Sequence, residues 1–253
     1  IHERLVGSEM CIRDRYHPGA AKYFEEKGFK VDAVKEGAGN GTASALSFGT
    51  GGESGTYYAF GGVLASFVSG KSDCKVTALT SGGSQANVED PTNGNVQLAF
   101  VQSDVMNYAY NGQRLFDSPV TGFSVVAQLY QEQVQIVTTN PDIKTVADLA
   151  GKKVSIGAAG SGVYFNAIDV LSAYDLKESD ISAVYQSFGD SAESLKDGKI
   201  DAAFIVAGAP TTAITDLATA GSVYLVSLDD SHVQSLLSAS PYYTAATIKA
   251  GTY

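Results

Sequence analysis

The chain is short of the residues that most often carry chemistry. It has two cysteines, Cys11 and Cys74, and three histidines, His2, His17 and His232, in 253 residues. Neither cysteine sits in a CxxC or another metal-like spacing, so neither a zinc site nor a disulfide is expected. The histidines form no visible constellation. No GxSxG elbow, paired carboxylates or metal cluster stands out, and Ser54, Ser84 and Ser161 have no histidine near them in sequence. Arginine is scarce too: Arg4, Arg13 and Arg15 crowd the first fifteen residues, and Arg114 is the only other one. The net charge of −10, with no basic stripe, argues against nucleic acid, because nothing replaces phosphate counterions. An acidic surface is also an ordinary solubility device. No stretch approaches the roughly 18–20 continuous apolar residues that span a bilayer. The chain opens on Ile1 without a signal-peptide apolar region, and a fragment of a longer protein is expected.

What is present is a folding pattern stated twice. Apolar residues make up 44% of the chain and charged ones 17%, a balance that suits a packed core and leaves room for one large domain or two lobes. Residues 46–58 run from an apolar stretch through a Gly/Ser loop into an apolar segment at helical spacing. Residues 154–165 do the same. Lys75–Leu79 is echoed by Ile181–Tyr185, and Gln97–Val101 by Asp201–Ile205. Ser47 and Ser155 lie 108 residues apart, Phe100 and Phe204 104, so loops differ in length while element order holds. Two α/β units with glycine loops facing a shared gap suit a clamp for a small molecule.

Along the chain, residues 1–15 show no clean period and read as foreign to the domain. Pro18 opens a short helix that Gly28 can close. Residues 35–43 are a Gly/polar linker. Strands are expected at 46–49, 75–79, 97–101, 153–157, 181–185, 201–206 and 222–227. Helices are expected at 55–67, after 81–85, at 104–111, 142–149, 163–174, 191–197, 211–219 and around 230–238. Residues 123–139 alternate and are rich in β-branched types, which predicts two extended strands at the hinge. Strand–helix alternation means βαβ units and mainly parallel sheets, whose carboxyl-end loops gather ligands.

Those loops offer amides and hydroxyls more than charge. Loop 49–56 lacks the lysine and following hydroxyl of a phosphate loop, and a GxGxxG match is incomplete. Glycine can simply turn a tight strand-to-helix corner. Its recurrence in both units favours backbone approach to a ligand from two walls. Loops 50–56, 81–85, 158–163 and 207–211 would aim helix N-terminal amides at the cleft, an arrangement that favours a carboxylate or other small anion. Arg114 reads as a surface residue. Asn87, Gln102, Asp104 and Asn166 are candidates to read polar groups, with Asp104 divided between an N-cap and an ammonium partner. Of Tyr57, Tyr58, Tyr164 and Phe165, two are expected in the core and one on each side at the pocket wall.

Residues 46–65, 80–89, 98–112, 146–167, 201–210 and 240–253 together resemble the TAXI-type solute-binding receptors of TRAP transporters. The resemblance implies an α/β, two-lobed type II periplasmic-binding-protein-like fold. Each lobe would be a mainly parallel sheet flanked by helices, with hinge strands between: residues 46–125 as lobe 1 and 126–245 as lobe 2. Residues 1–45 are then an atypical segment and linker, and 246–253 begin a return crossover. It also implies a periplasmic or extracytoplasmic protein, membrane-anchored or secreted, that captures a small organic anion or an amino acid such as glutamate or glutamine. Delivery would be to the TRAP membrane subunits. No cofactor, no metal, no nucleic acid and no catalysis are expected, and a monomer is. Candidate contacts carried by the matching loops are Gly51, Ser54, Thr56, Tyr57, Ser84, Asn87, Gln102, Asp104, Ser161, Val163, Asn166, Ala207 and Gly208. Members of that family continue past the 250–253 stretch, and residues 17–28 resemble their extreme C-terminal tail. A permuted or mis-joined fragment, its first lobe incomplete, is therefore expected. The alternatives are an enzyme on the same two-lobed fold and an inorganic oxyanion binder.

Overall fold

A computed structural model describes residues 16–33, 43–92 and 94–253. The expectations for residues 1–15 and for the linker up to residue 42, Cys11 included, fall outside those described. Helix α1 spans Pro18–Glu26, with Pro18 at its first position, where a missing N–H costs nothing. Gly28 follows it with φ of +85°.

The first α/β unit is β1 (Ala45–Gly49), α2 (Thr56–Lys71), β2 (Lys75–Leu79), α3 (Ser84–Thr92), β3 (Leu98–Ala99) and α4 (Ser103–Asn111). Its strands form a three-stranded parallel sheet in the order β2-β1-β3. The strand expected over 97–101 is only two residues long. The N-cap position of α4 is Gln102, whose side chain makes no cap bond, and Asp104 lies buried in the first turn.

The second unit comprises β4 (Gln133–Thr138), β5 (Lys153–Ser155), α5 (Val163–Ala173), β6 (Ser182–Val184), α6 (Phe188–Lys196), β7 (Ala202–Ala207), α7 (Thr212–Ala220), β8 (Tyr224–Leu225) and α8 (Asp230–Ala239). The segment expected as a helix over 142–149 is a short 3-10 turn at Val146–Leu149, closed by a Thr145–Asp148 capping box. The five strands run β6-β5-β7-β4-β8, and β4 is antiparallel to both of its neighbours. All six residues of β7 are buried, as an unbroken apolar run at the centre of a sheet covered on both faces must be.

Residues 123–139 do not supply two strands. Only Gln133–Thr138 is extended and paired. Val125 makes an isolated bridge to Tyr16, and residues 126–132 have no regular structure. Alternation alone does not make a strand where no neighbouring edge is free to pair with it.

This topology decides what reaches the cleft. Parallel strands β1, β2, β5, β6 and β7 deliver their carboxyl ends, and hence their loops, to one side. Strand β4 runs the other way, so its beginning arrives where β7 ends: Gln133 pairs with Ala207. Residue 132 is thereby placed beside loops that come from far along the chain.

Helix α6 begins earlier than its apolar pattern suggests. Ser187 accepts a hydrogen bond from the Asp190 amide at 3.2 Å, a cap that starts the helix at Phe188. The first turn of α6 therefore belongs to the cleft. Pro210, expected in the first turn of the next helix, precedes the N-cap Thr211 instead.

Candidate functional site

One cavity of about 360 Å³ lies between the two units. The first unit contributes the loop from Gly51 to Gly55, Tyr57, the Ser81–Ser84 turn and Gln102. The second contributes Glu132, Ala158, the Ser161–Val163 turn, the Ser187–Asp190 turn, Val206 and Ala207. Ser54 and Ser161, matched loops of the sequence repeat, thus face a common hollow.

Of the thirteen candidate contacts, eight line it: Gly51, Ser54, Tyr57, Ser84, Gln102, Ser161, Val163 and Ala207. The other five lie behind the wall. Asn87 is buried and donates to the carbonyls of Thr50 and Phe100 at 2.7 and 2.8 Å, tying α3 to the first sheet. Thr56 Oγ1 accepts from the Gly208 amide at 3.1 Å, a bond between the units. Asp104 and Asn166 meet across the interface, where Asn166 Nδ2 donates to Asp104 Oδ2 at 2.9 Å. Asn166 Oδ1 accepts from Gln102 Nε2 at 2.7 Å, and Nδ2 also donates to Tyr243 at 2.8 Å. Burial raises the Asp104 carboxyl to about 6, against the pull of the Val105 amide and Asn166.

Glycine in these loops serves the meeting of the two units as well as the solute. A Cβ on Gly162 would lie 1.5 Å from Gln102 Oε1, across the interface. Gly83, at φ of +114°, sits against Ser161, with Cβ space of only 3.1 Å to its Cα. No side chain larger than hydrogen lets the walls close to this distance.

The 207–211 loop does not aim free amides at the cavity. The Gly208 amide donates to Thr56, and that of Thr211 donates to Tyr253 at 3.0 Å, so neither is free for a solute. Four helices start at the cavity, α2, α3, α5 and α6; the Ser187 side chain caps α6, and in α3 the Ala86 amide donates to the Gly160 carbonyl, which leaves α2 and α5. Their N-caps, Gly55 and Gly162, make no side-chain cap bond. Ser161 lines the cavity, and its hydroxyl is buried without a hydrogen-bond partner. That oxygen faces Gly157, where an added Cβ would lie 2.6 Å from it, so it sits behind the cavity wall and not on it.

On the first side the aromatic wall is Tyr57, stacked on Phe100 with ring centroids 5.0 Å apart. On the second it is Phe188, not Tyr164 or Phe165. Phe165 is fully buried among Val88, Val105, Tyr108 and Phe116 of the first unit. Tyr58 is partly exposed on α2. Arg114 is away from the cavity: it pairs with Asp169 at 2.6 Å and lies over the Tyr108 ring.

Glu132 is the residue that sequence reading missed. Its carboxylate accepts from Tyr57 Oη at 3.2 Å, and Tyr57 is also bonded to Ser84 Oγ at 3.2 Å. Burial, then the bond from Tyr57 acting against it and the charge of Asp104 adding to it, leaves Glu132 at about 8. The ionisable residues lining the cavity, apart from Tyr57, are Glu53, Glu132 and Asp190, and no lysine, arginine or histidine lines it among the described residues.

Two α/β units with mainly parallel sheets and a solute-sized hollow between them make up the two-lobed fold of periplasmic binding proteins. Residues 48–253 match the NMT1-like family, and the chain belongs to it. Among solved structures, the alkanesulfonate-binding protein SsuA from Xanthomonas axonopodis pv. citri, bound to MOPS, is similar at 20% identity. The match covers 74% of this chain and 61% of that one, with a TM-score of 0.50. An ancestral arginine-binding protein bound to arginine is 19% identical over 74% of this chain and 80% of that one, at a TM-score of 0.51. The arginine-bound form of truncated ArgBP from T. maritima is 17% identical over 74% and 82%, at 0.52. At these identities the likeness is one of fold. The chain spans less than two thirds of the sulfonate-binding structure.

Proposed function

We propose that the protein is an extracytoplasmic receptor that captures a small organic anion or amino acid between its lobes and hands it to a TRAP-type membrane transporter. The lobes divide near residue 125. The observation that carries this reading is the shared cavity, walled by the repeated loops around Ser54 and Ser161 from opposite units. Its volume of about 360 Å³ suits a solute of amino-acid size. A guest held there touches both units at once, so it favours the closed arrangement over an open one. The TRAP assignment rests on the TAXI-like motifs over 46–253, which coincide with the span matched to the NMT1-like family. No helix among the described residues is long and apolar enough to cross a membrane.

Native mass spectrometry of the gently purified protein tests the receptor reading. A co-purifying small molecule is expected, and adding it to stripped protein should contract the particle in small-angle scattering. Absence of any bound species, together with no thermal shift across dicarboxylates and amino acids, sinks it.

A further inference from the structure

We propose that Glu132 is the residue that selects the solute, serving as counter-charge to a protonated amine, and that the amine displaces a proton from Glu132 as it binds. This rests on the receptor reading above and narrows it to amine-bearing solutes, which include zwitterions but not simple anions.

The argument starts from charge. A purely anionic guest would enter a hollow whose ionisable side chains, Tyr57 apart, are Glu53, Glu132 and Asp190, with no cation opposite among the described residues. Glu53 and Asp190 are exposed, so water screens them. Glu132 is deeper and holds its position through Tyr57, which is itself fixed by Ser84 and by stacking on Phe100. A carboxylate placed so, without a basic partner, either keeps its proton or waits for a cation.

Other features locate the opposite end of the guest. The N-termini of α2 and α5 carry no side-chain caps, and both open on the cavity. Oriented amides of this kind favour a carboxylate or sulfonate group. A negative group at the helix starts and an amine at Glu132 describe one bipolar molecule.

The titratable groups around Glu132 set the proton balance. Tyr57 on α2 and Tyr130 on its own segment stay neutral through the physiological range, because burial and the nearby carboxylate raise both hydroxyls. Asp104 on α4 is mostly ionised at pH 7 and adds negative potential. At pH 7 the empty site therefore holds Glu132 mainly protonated, at about 8. An ammonium within contact favours the ionised form, and the proton leaves to solvent.

Matched pairs that differ only in the amine provide the test: L-glutamate against glutarate, L-alanine against propionate, and 2-aminoethanesulfonate against ethanesulfonate. Titration calorimetry is run at pH 7 on protein stripped of endogenous solute, in two buffers of different ionisation enthalpy. In every pair that binds, the amine-bearing member should bind about 30-fold or more tightly than its partner. Binding should release about one proton. Glu132→Gln should abolish both the preference and the proton release, while Glu132→Asp keeps part of the preference. Thermal melting of both variants establishes that they fold. Equal or tighter binding by the amine-free members overturns the inference and leaves the receptor reading standing. Binding by neither member of any pair, with an amine-free solute found by native mass spectrometry, overturns it in the same way. A preference for the amine that survives Glu132→Gln overturns the role given to Glu132.

Discussion

Helices α2 and α5 follow the two copies of one glycine-loop pattern, yet they live in different surroundings. Helix α5 buries Val163, Phe165, Asn166, Ala167, Val170 and Leu171. Helix α2, which is longer and equally apolar in sequence, buries only Gly61 and Ala65, and it leaves Val63 and Phe67 at 66% and 63% exposure. The reason is cover. Helix α5 is held between the five-stranded sheet and α8 on one side and α3–α4 of the first unit on the other. Helix α2 rests on the three-stranded sheet and presents its other face to solvent. The buried cores differ in proportion. Among the described residues, fifteen form the main cluster of the second unit, four the cluster under α2, and six a third around α3, α4 and Phe165. A repeated sequence pattern therefore sets the placement of loops without setting how much each half contributes to stability.

The sharpest way to break that comparison is to truncate one residue on each helix. Leu171→Ala removes a side chain with 0% exposure from the main cluster and should cost about 2–5 kcal/mol. Val63→Ala on α2 should stay within about 0.5 kcal/mol. Urea denaturation of the two variants measures both. Comparable losses would mean that the open face of α2 is covered in solution, and the contrast between the halves would dissolve.

The next effect concerns where the halves touch. Gly162→Ala puts a methyl 1.5 Å from Gln102 Oε1, so Gln102 must swing away and give up its bond to Asn166. The glycine has φ of −73°, which alanine adopts without strain, so the substitution acts on closure and not on the local backbone. Overpacking of this kind costs about 1–3 kcal/mol, which acts on the closed state and weakens solute binding by about 5- to 150-fold. Calorimetry with the co-purified solute reads the loss. Unchanged affinity would show that the bound form does not bring Gly162 against Gln102.

Much of this arrangement is legible in the sequence, and the failures have a common cause. The run Ala202–Ala207 announces a central strand because every residue is apolar, and β2 falls where its pattern ends. Loops 50–55 and 158–162 are legible because glycine and serine interrupt apolar runs twice. Glu132 is not legible, because it reaches the cavity only through the antiparallel insertion of β4 between β7 and β8. Nothing local to residues 126–132 states which way the next strand will run. Phe188 was hidden by a cap: reading the helix from Ser191 leaves it in a loop, whereas the Ser187 cap puts it in the first turn at the cavity. Asn87, Asp104 and Asn166 are the opposite case. Polar residues near glycine loops look like ligand contacts, but these three lie behind the cavity wall, where the Asn87 amide ties α3 to the sheet and Asn166 bonds Asp104 across the halves.

Acidity offers a gentler probe of the same contrast, because the raised carboxyls both lie where the halves meet. Glu132 holds its proton up to about 8 in the folded protein, against an ordinary value of 4.5, and Asp104 up to about 6, against 3.8. Between those limits the folded chain binds more protons than the unfolded one. Stability contributed by each neutral carboxyl is complete below its ordinary value and is lost as pH rises through the raised one. The solute-free protein should therefore melt at progressively lower temperature from about pH 4.5 to 8. Glu132→Gln should flatten the upper part of that decline, and Asp104→Asn the part below about pH 6. Thermal melts across the range check it, and a wild-type profile that rises with pH contradicts the assignment.

The smallest effect belongs to the one charged pair that joins α5 to the chain just after α4. Arg114 and Asp169 meet at 2.6 Å, but the arginine side chain is 41% exposed. Water screens the attraction, and two side chains must be held in one geometry to make it, so an exposed pair contributes about 0.2–1 kcal/mol at most. Asp169 is also held by Tyr243, which donates to it at 2.9 Å, so removing the arginine does not leave that carboxylate without a donor. Arg114→Ala should accordingly shift the urea midpoint little, and the shift should shrink further in high salt. It should leave solute affinity unchanged, since the cavity and its amide-bearing helix starts lie elsewhere. A large loss of affinity in this variant, measured by calorimetry, would show that the interface between the halves is set by charge at its rim and not by the apolar seat of Phe165 and the Gln102–Asn166–Asp104 bonds within.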